Sequence, residues 1–159
     1  MAHDEAEKSD IKIHDPIWLD CTLRDGGYHN NWEFPDAIVN RYLHAMHAAG
    51  ADRVEVGFRT LLRRGYSGPT AFTSDSFLSS LAIPSKLRLG VMVNASELSG
   101  GPEELRDKLH LLFPETSKSW VHFVRVAAHI SELPDAVAAT KWLSQEGYEV
   151  GLNIMQISE

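Results

Sequence analysis

The stretch Ile17-Trp18-Leu19-Asp20-Cys21-Thr22-Leu23-Arg24-Asp25-Gly26-Gly27-Tyr28 runs from apolar residues into a charged pair and then two glycines. The apolar run, Ile17 to Cys21, predicts a first strand, and the glycines predict the turn that stops it. Arg24 and Asp25 then fall side by side at a strand end, where both side chains can reach one mouth. An aspartate there is a hard-metal oxygen ligand, and an arginine is a fixed cation able to face a developing oxyanion.

The same rhythm continues along the chain. Pro35 suits a first helical position, Asp36 the first turn, and Ile38, Tyr42, Met46 and Ala49 recur at helical spacing until Gly50 caps the C-terminus. Arg53 to Phe58 alternates and reads as a second strand, followed by a polar loop through Ser67-Gly68-Pro69 and a short helix over about 74–81. Leu87 to Val93 is a third strand, Pro102 to Phe113 a helix, Trp120 to Ala127 a fourth strand, Pro134 to Glu146 a helix ending at Gly147, and Glu149 to Ile157 a fifth strand. Strand starts recur about every 30 to 36 residues, the period of right-handed parallel βα units. A doubly wound sheet and a (β/α)8 barrel both accommodate it. No Gly-x-Gly-x-x-Gly follows the first strand, so a dinucleotide site has no sequence warrant.

With 159 residues, 43 % hydrophobic and 23 % charged, the chain has the composition of a globular domain. Its 22 acidic and 15 basic side chains give a net charge of −7, which argues against nucleic acid or an anionic membrane as partner. A single cysteine, Cys21, excludes an internal disulfide and points to a reducing compartment. No apolar run approaches the roughly 20 residues that span a bilayer. Residues 1–15 read as a disordered acidic tail and not a signal peptide, and residues 16–159 as the folded domain. These readings place the protein in the cytoplasm.

Glu55 is the second informative residue. Strand alternation puts Arg53, Glu55 and Gly57 on one face and Val54, Val56 and Phe58 on the other. A carboxylate inside an apolar strand needs a partner, and Arg24 is the candidate. Arg59, Arg63 and Arg64 in the loop after the second strand are candidate grips for a carboxylate or phosphate, against the plainer reading of a solvated basic loop. Asn94, Arg125, His129 and Asn153 lie in or just after strands three to five and could line the same mouth. His44 and His47 share a helical face that reads as solvated, Cys21 reads as a small buried residue in a strand, and Met92 and Met155 read as core.

Leu19 to Gly26 resembles the Asp-x-Thr-Leu-Arg-Asp-Gly signature of the metal-dependent lyases and synthases related to HMG-CoA lyase, the DRE-TIM metallolyases. The longer run Leu23 to Trp32 is similar to their 4-hydroxy-2-oxovalerate aldolase-like branch, as are Val54-Glu55-Val56-Gly57-Phe58 and Asn153-Ile154-Met155-Gln156. The resemblance implies an α/β fold, the N-terminal half of a (β/α)8 TIM barrel with about five parallel strands, and a lyase acting beside a 2-oxo acid through a pyruvate-type enolate. It further implies that Asp25 ligates Mn or Mg, that Arg24 stabilises the enolate oxygen and that Glu55 orients Arg24; Arg125 and Asn153, from their place within strands four and five, are the candidate substrate contacts.

Two positions depart from the family pattern. Its proton-transfer histidine, three residues after the metal aspartate, is Tyr28 here, with His29 one place later, so both are candidates for that step. Its later His-x-His metal pair does not occur among the 8 histidines. A full barrel takes about 250 residues and eight strands. The expectation is therefore a fragment, a half barrel completed by a homo-oligomer or a second chain, or a non-catalytic assembly partner. A Claisen-type acyl-CoA synthase of the same family is the alternative enzyme reading.

Overall fold

A computed structural model describes residues 16–62 and 65–157. The expectations for residues 1–15 and for Arg63 and Arg64 lie outside them. Five strands form one parallel sheet in sequence order: β1 (Leu19–Asp20), β2 (Arg53–Phe58), β3 (Arg88–Asn94), β4 (Val121–Ala128) and β5 (Glu149–Ile154). Each parallel crossover carries helix: α1 (Thr22–Asn30) and α2 (Asp36–Ala49), then α3 (Asp75–Ser79), α4 (Pro102–Leu112) and α5 (Leu133–Gln145). The sheet curls into half a TIM barrel, as the sequence-based fold expectation has it.

The convex face carries the main core. Val54, Val56, Leu89, Val91, Val93, Val124 and Val126 pack against Val39, Leu43, Leu105, Leu109, Ala136, Ala139 and Leu143 from the helices. β-Branched residues on a sheet facing Leu and Ala on helices bury apolar area on both partners, the dominant favourable term in such a layer. In α2 the buried stripe is Val39 and Leu43, with Tyr42 and Met46 packed beside it, while Ile38 faces solvent. The stripe therefore runs one residue away from the expected Ile38 register, with Pro35 preceding the helix as its N-cap.

The largest departure from expectation is at the start. The first strand is two residues long, and Arg24-Asp25-Gly26-Gly27 is not a turn but the middle of α1. Two tertiary facts override the low helix propensity of glycine. Asp20 accepts hydrogen bonds from Thr22 N (3.1 Å) and Thr22 Oγ1 (2.9 Å), fixing the helix start. Trp32 lies so close to Gly27 that a Cβ there would stand 2.0 Å from its indole ring. The residue is glycine because the ring occupies the space, and α1 is thereby locked against the strand ends. The expected fifth strand also stops at Ile154, short of Ile157.

Candidate active site

The concave face is polar where the convex face is apolar. Glu55 of β2 is wholly buried there, its side chain 0 % exposed. Its carboxylate meets two guanidiniums. Arg24 of α1 approaches Oε1 through Nε, and Arg125 of β4 donates from Nε to Oε2 (2.7 Å) and from Nη2 to Oε1 (2.8 Å). Arg125 reaches across β3 to make this fork, while the space above Gly90, the register partner of Glu55, is filled by the Phe123 ring, 2.0 Å from where a Cβ would stand. The expected partner Arg24 is present, on a helix and not a strand end. Arg125 is the partner that sequence reasoning placed in the site without seeing this bond.

Charge-assisted, forked pairing is the strong form of the arginine–carboxylate bond. Hydrogen bonding to Glu55 pushes the Arg125 pKa above its usual value. Arg24 also pairs with its neighbour Asp25, Nη2 to Oδ1 at 2.9 Å, and its guanidinium lies 5.7 Å from the centroid of the Phe58 ring. Arg24 is thus held on three sides at the C-terminal mouth, where barrel enzymes place their chemistry. Cys21 stands at the N-cap position of α1 rather than in a strand, and its Sγ accepts from Arg125 Nη2 at 3.3 Å. Burial, then the nearby Glu55 charge, pushes its pKa up, which keeps it a thiol and not a nucleophile.

Phe58 reports a second correction. The β2–β3 register shifts between Glu55 and Gly57. Val56 therefore stays in the convex core while Phe58 turns to the concave side with Met92 and Ala127, against Trp32 and Met155. Strict alternation had put Phe58 opposite Glu55. Tyr28, Trp32 and Phe58 pack edge-to-face, with centroids 4.7 Å apart for Tyr28–Trp32 and 5.8 Å for Trp32–Phe58. Trp32 Nε1 donates to the Arg24 carbonyl at 3.0 Å, tying this cluster to the site.

The remaining candidates separate. Asp25 is exposed and shares an open hollow with Cys21, Thr22, Gly26 and His29. His29 lies one turn beyond Asp25 on that face, while Tyr28 turns toward the aromatic cluster. Asn153 follows Arg125 upward on the concave side, paired with Ala127 two positions beyond the Arg125–Gly151 pair. Asn94 donates to Glu97 at 3.3 Å. His129 caps the start of the turn before α5, with Glu132 accepting from its backbone N–H at 2.9 Å. His44 and His47 are solvent-exposed, and Met92 is core.

Arg59 is no substrate grip. It is buried, with its guanidinium donating to Asp75 Oδ2 (2.6 Å), Leu112 O (2.9 Å) and Thr73 O (3.2 Å), and it ties the loop after β2 to α3 and α4.

A divalent ion would find one exposed carboxylate here, Asp25, itself paired with Arg24. Among the described residues no group of three or more His, Cys, Asp and Glu is placed to hold a metal. One carboxylate already paired with Arg24 does not make a divalent site, so these residues do not by themselves fit the ion that the resemblance implies.

No family model matches the chain. Over 81 residues it is 33 % identical to an oxaloacetate decarboxylase of Mycobacterium tuberculosis (strain ATCC 25618 / H37Rv), an alignment spanning 50 % of this chain and 24 % of that protein. The fold matches a crystal structure described as the N-terminal domain of a proposed aldolase from Bacteroides vulgatus, with TM-score 0.76 and 36 % identity over 90 % of this chain. The chain covers 46 % of that neighbour's length and a quarter or less of the decarboxylase. Both likenesses are to proteins described as a decarboxylase or an aldolase, and both cover less than half of those proteins. Among the described residues no helix is long and apolar enough to cross a membrane.

Proposed function

We propose that this chain forms the enolate-stabilising half of the active site of a divalent-metal-dependent lyase that breaks or forms a carbon–carbon bond beside a 2-oxo acid. The observation that carries the reading is the wholly buried Glu55 shared by Arg24 and Arg125 at the strand mouth. A carboxylate buried between two arginines is costly, and apolar residues of similar volume would often serve the fold as well. Chemistry accounts for its presence.

In this reading Arg24 faces the oxygen on which negative charge develops as the bond breaks, and preorganised cations at such positions lower the barrier most. Glu55 is a positioning residue: it fixes Arg24 without touching substrate. Arg125 completes the clamp on Glu55 and, with Asn153 above it, takes the substrate carboxylate. Proton transfer falls to Tyr28 or His29. A Mn or Mg ion, when bound, would supply Lewis-acid polarisation of the keto oxygen. Asp25 would be a ligand to it, and the other ligands would come from the second half of the barrel. That half would pair with the β1 and β5 edges and cover Leu152 and Ile154, which are large, apolar and exposed on β5.

The test is pyruvate release from oxaloacetate and from 4-hydroxy-2-oxo acids in the presence of Mn, with free CoA thiol followed in parallel from acetyl-CoA and a 2-oxo acid. Metal-dependent pyruvate release supports the lyase reading. Thiol release assigns the Claisen-type synthase instead, and neither signal, together with a metal-independent oligomer, assigns an assembly partner.

A further inference from the structure

Beside Arg24 lies a hollow of about 340 Å³, of whose lining the reaction as proposed draws on Tyr28 alone. Its wall is Tyr28, Trp32 and Phe58, and its rim includes Leu62 and Ser67, with Asn94 and Glu97 at one side. Tyr28 is 63 % exposed although it is a large aromatic residue, because its outer edge borders this space. The volume lies in the range of small-molecule sites, and a mostly apolar wall with a few polar groups is their usual lining. Glu97 is already satisfied by Thr60 Oγ1 (2.6 Å), Leu61 N (3.0 Å) and Asn94 Nδ2 (3.3 Å), so it shapes the polar side without demanding a cation. The wall is also the support of the catalytic arginine: Phe58 stacks beneath the Arg24 guanidinium and Trp32 holds the Arg24 carbonyl.

We infer that this hollow is the specificity subsite for the substrate's far end, and that it takes an apolar, ring-bearing group; the inference rests on the 2-oxo acid reading above. A ring placed here packs edge-on against Trp32 and Phe58 while the 2-oxo acid end reaches Arg24 and Arg125. Small 2-oxo acids leave the hollow wet and gain nothing from it.

The experiment follows the indole N–H resonance of Trp32 in the full 159-residue chain, assigned with Trp32→Phe, during titration with phenylpyruvate, pyruvate and benzyl alcohol. Phenylpyruvate is expected to bind at least roughly tenfold more tightly than pyruvate, the gain that burying a ring supplies. Benzyl alcohol is expected to move the same resonance more weakly. Ser67→Phe and Leu62→Trp each fill the hollow from the rim, and either one that keeps the wild-type melting temperature is expected to reduce phenylpyruvate to the level of pyruvate. Equal binding of phenylpyruvate and pyruvate, insensitive to both substitutions, overturns the subsite and leaves the 2-oxo acid reading standing. Benzyl alcohol binding as tightly as phenylpyruvate, with none by pyruvate, keeps the ring site and overturns the 2-oxo acid reading. No response to either ring compound overturns the subsite.

Discussion

The concave face holds two arginine–glutamate–arginine triads built from the same chemistry at different depths. At the mouth, Arg24 and Arg125 enclose Glu55, which is 0 % exposed. At the base, Arg53 and Arg88 reach Glu149 at 2.6 Å and 3.0 Å, but Glu149 is 44 % exposed. The base triad sits in water, where screening and side-chain entropy leave little net gain. The mouth triad has given up hydration, so each charge depends on the others. Similar contacts thus have different consequences, and burial decides which.

Removing the central carboxylate separates the two most sharply. Glu55→Leu leaves Arg125 without its counter-ion and Arg24 with only the exposed Asp25, and is expected to cost about 3–5 kcal/mol in urea unfolding. Glu149→Leu is expected to cost less than about 1 kcal/mol and to lose even that at high salt. Equal costs would break the comparison. Next in size is Gly27→Ala, whose methyl would collide with Trp32. A loss of about 1–3 kcal/mol with a changed near-ultraviolet tryptophan signal is expected, since the ring must move.

Replacing the whole mouth triad, Arg24→Met with Glu55→Leu and Arg125→Met, is expected to recover most of the Glu55→Leu loss, to within about 1 kcal/mol of wild type. A triple variant as unstable as Glu55→Leu would make the triad structural. The smallest effect belongs to the base, where His122 Nδ1 accepts the Leu89 N–H at 3.3 Å. Burial, then Arg88, lowers its pKa from 6.5. The unfolded chain therefore takes up this proton first, so the contribution is intact above about pH 6.5 and declines as pH falls through the lowered value. His122→Gln is expected to flatten that part of the stability–pH curve.

The strands were legible because β-branched, apolar runs with turn signals leave few alternatives; the strand period made parallel βα units readable, and the resemblance at Leu19 to Gly26 chose the half barrel over a doubly wound sheet. Helix α1 was not, because its two central glycines disfavour a helix locally and only Trp32 and the Asp20–Thr22 hydrogen bonds explain it. Glu55 stood out as a carboxylate in an apolar strand. Its bond to Arg125 spans 70 positions and crosses β3 from β2 to β4, which no local pattern encodes. The aromatic hollow hangs on one register shift that turns Phe58 inward. Arg59 looked like a loop cation because its three acceptors, at Thr73, Asp75 and Leu112, are distant in sequence.

The central claim is that Glu55 holds Arg24 to stabilise an enolate. It is tested most directly by the exchange of pyruvate methyl protons for deuterium in D2O, followed by NMR with Mn or Mg present. The account expects exchange well above the ion alone, slowed at least roughly a hundredfold by Arg24→Lys, as for removal of one oxyanion-stabilising donor, with the melting temperature kept. Exchange no faster than with the ion alone, or exchange that Arg24→Lys leaves unchanged, would contradict it.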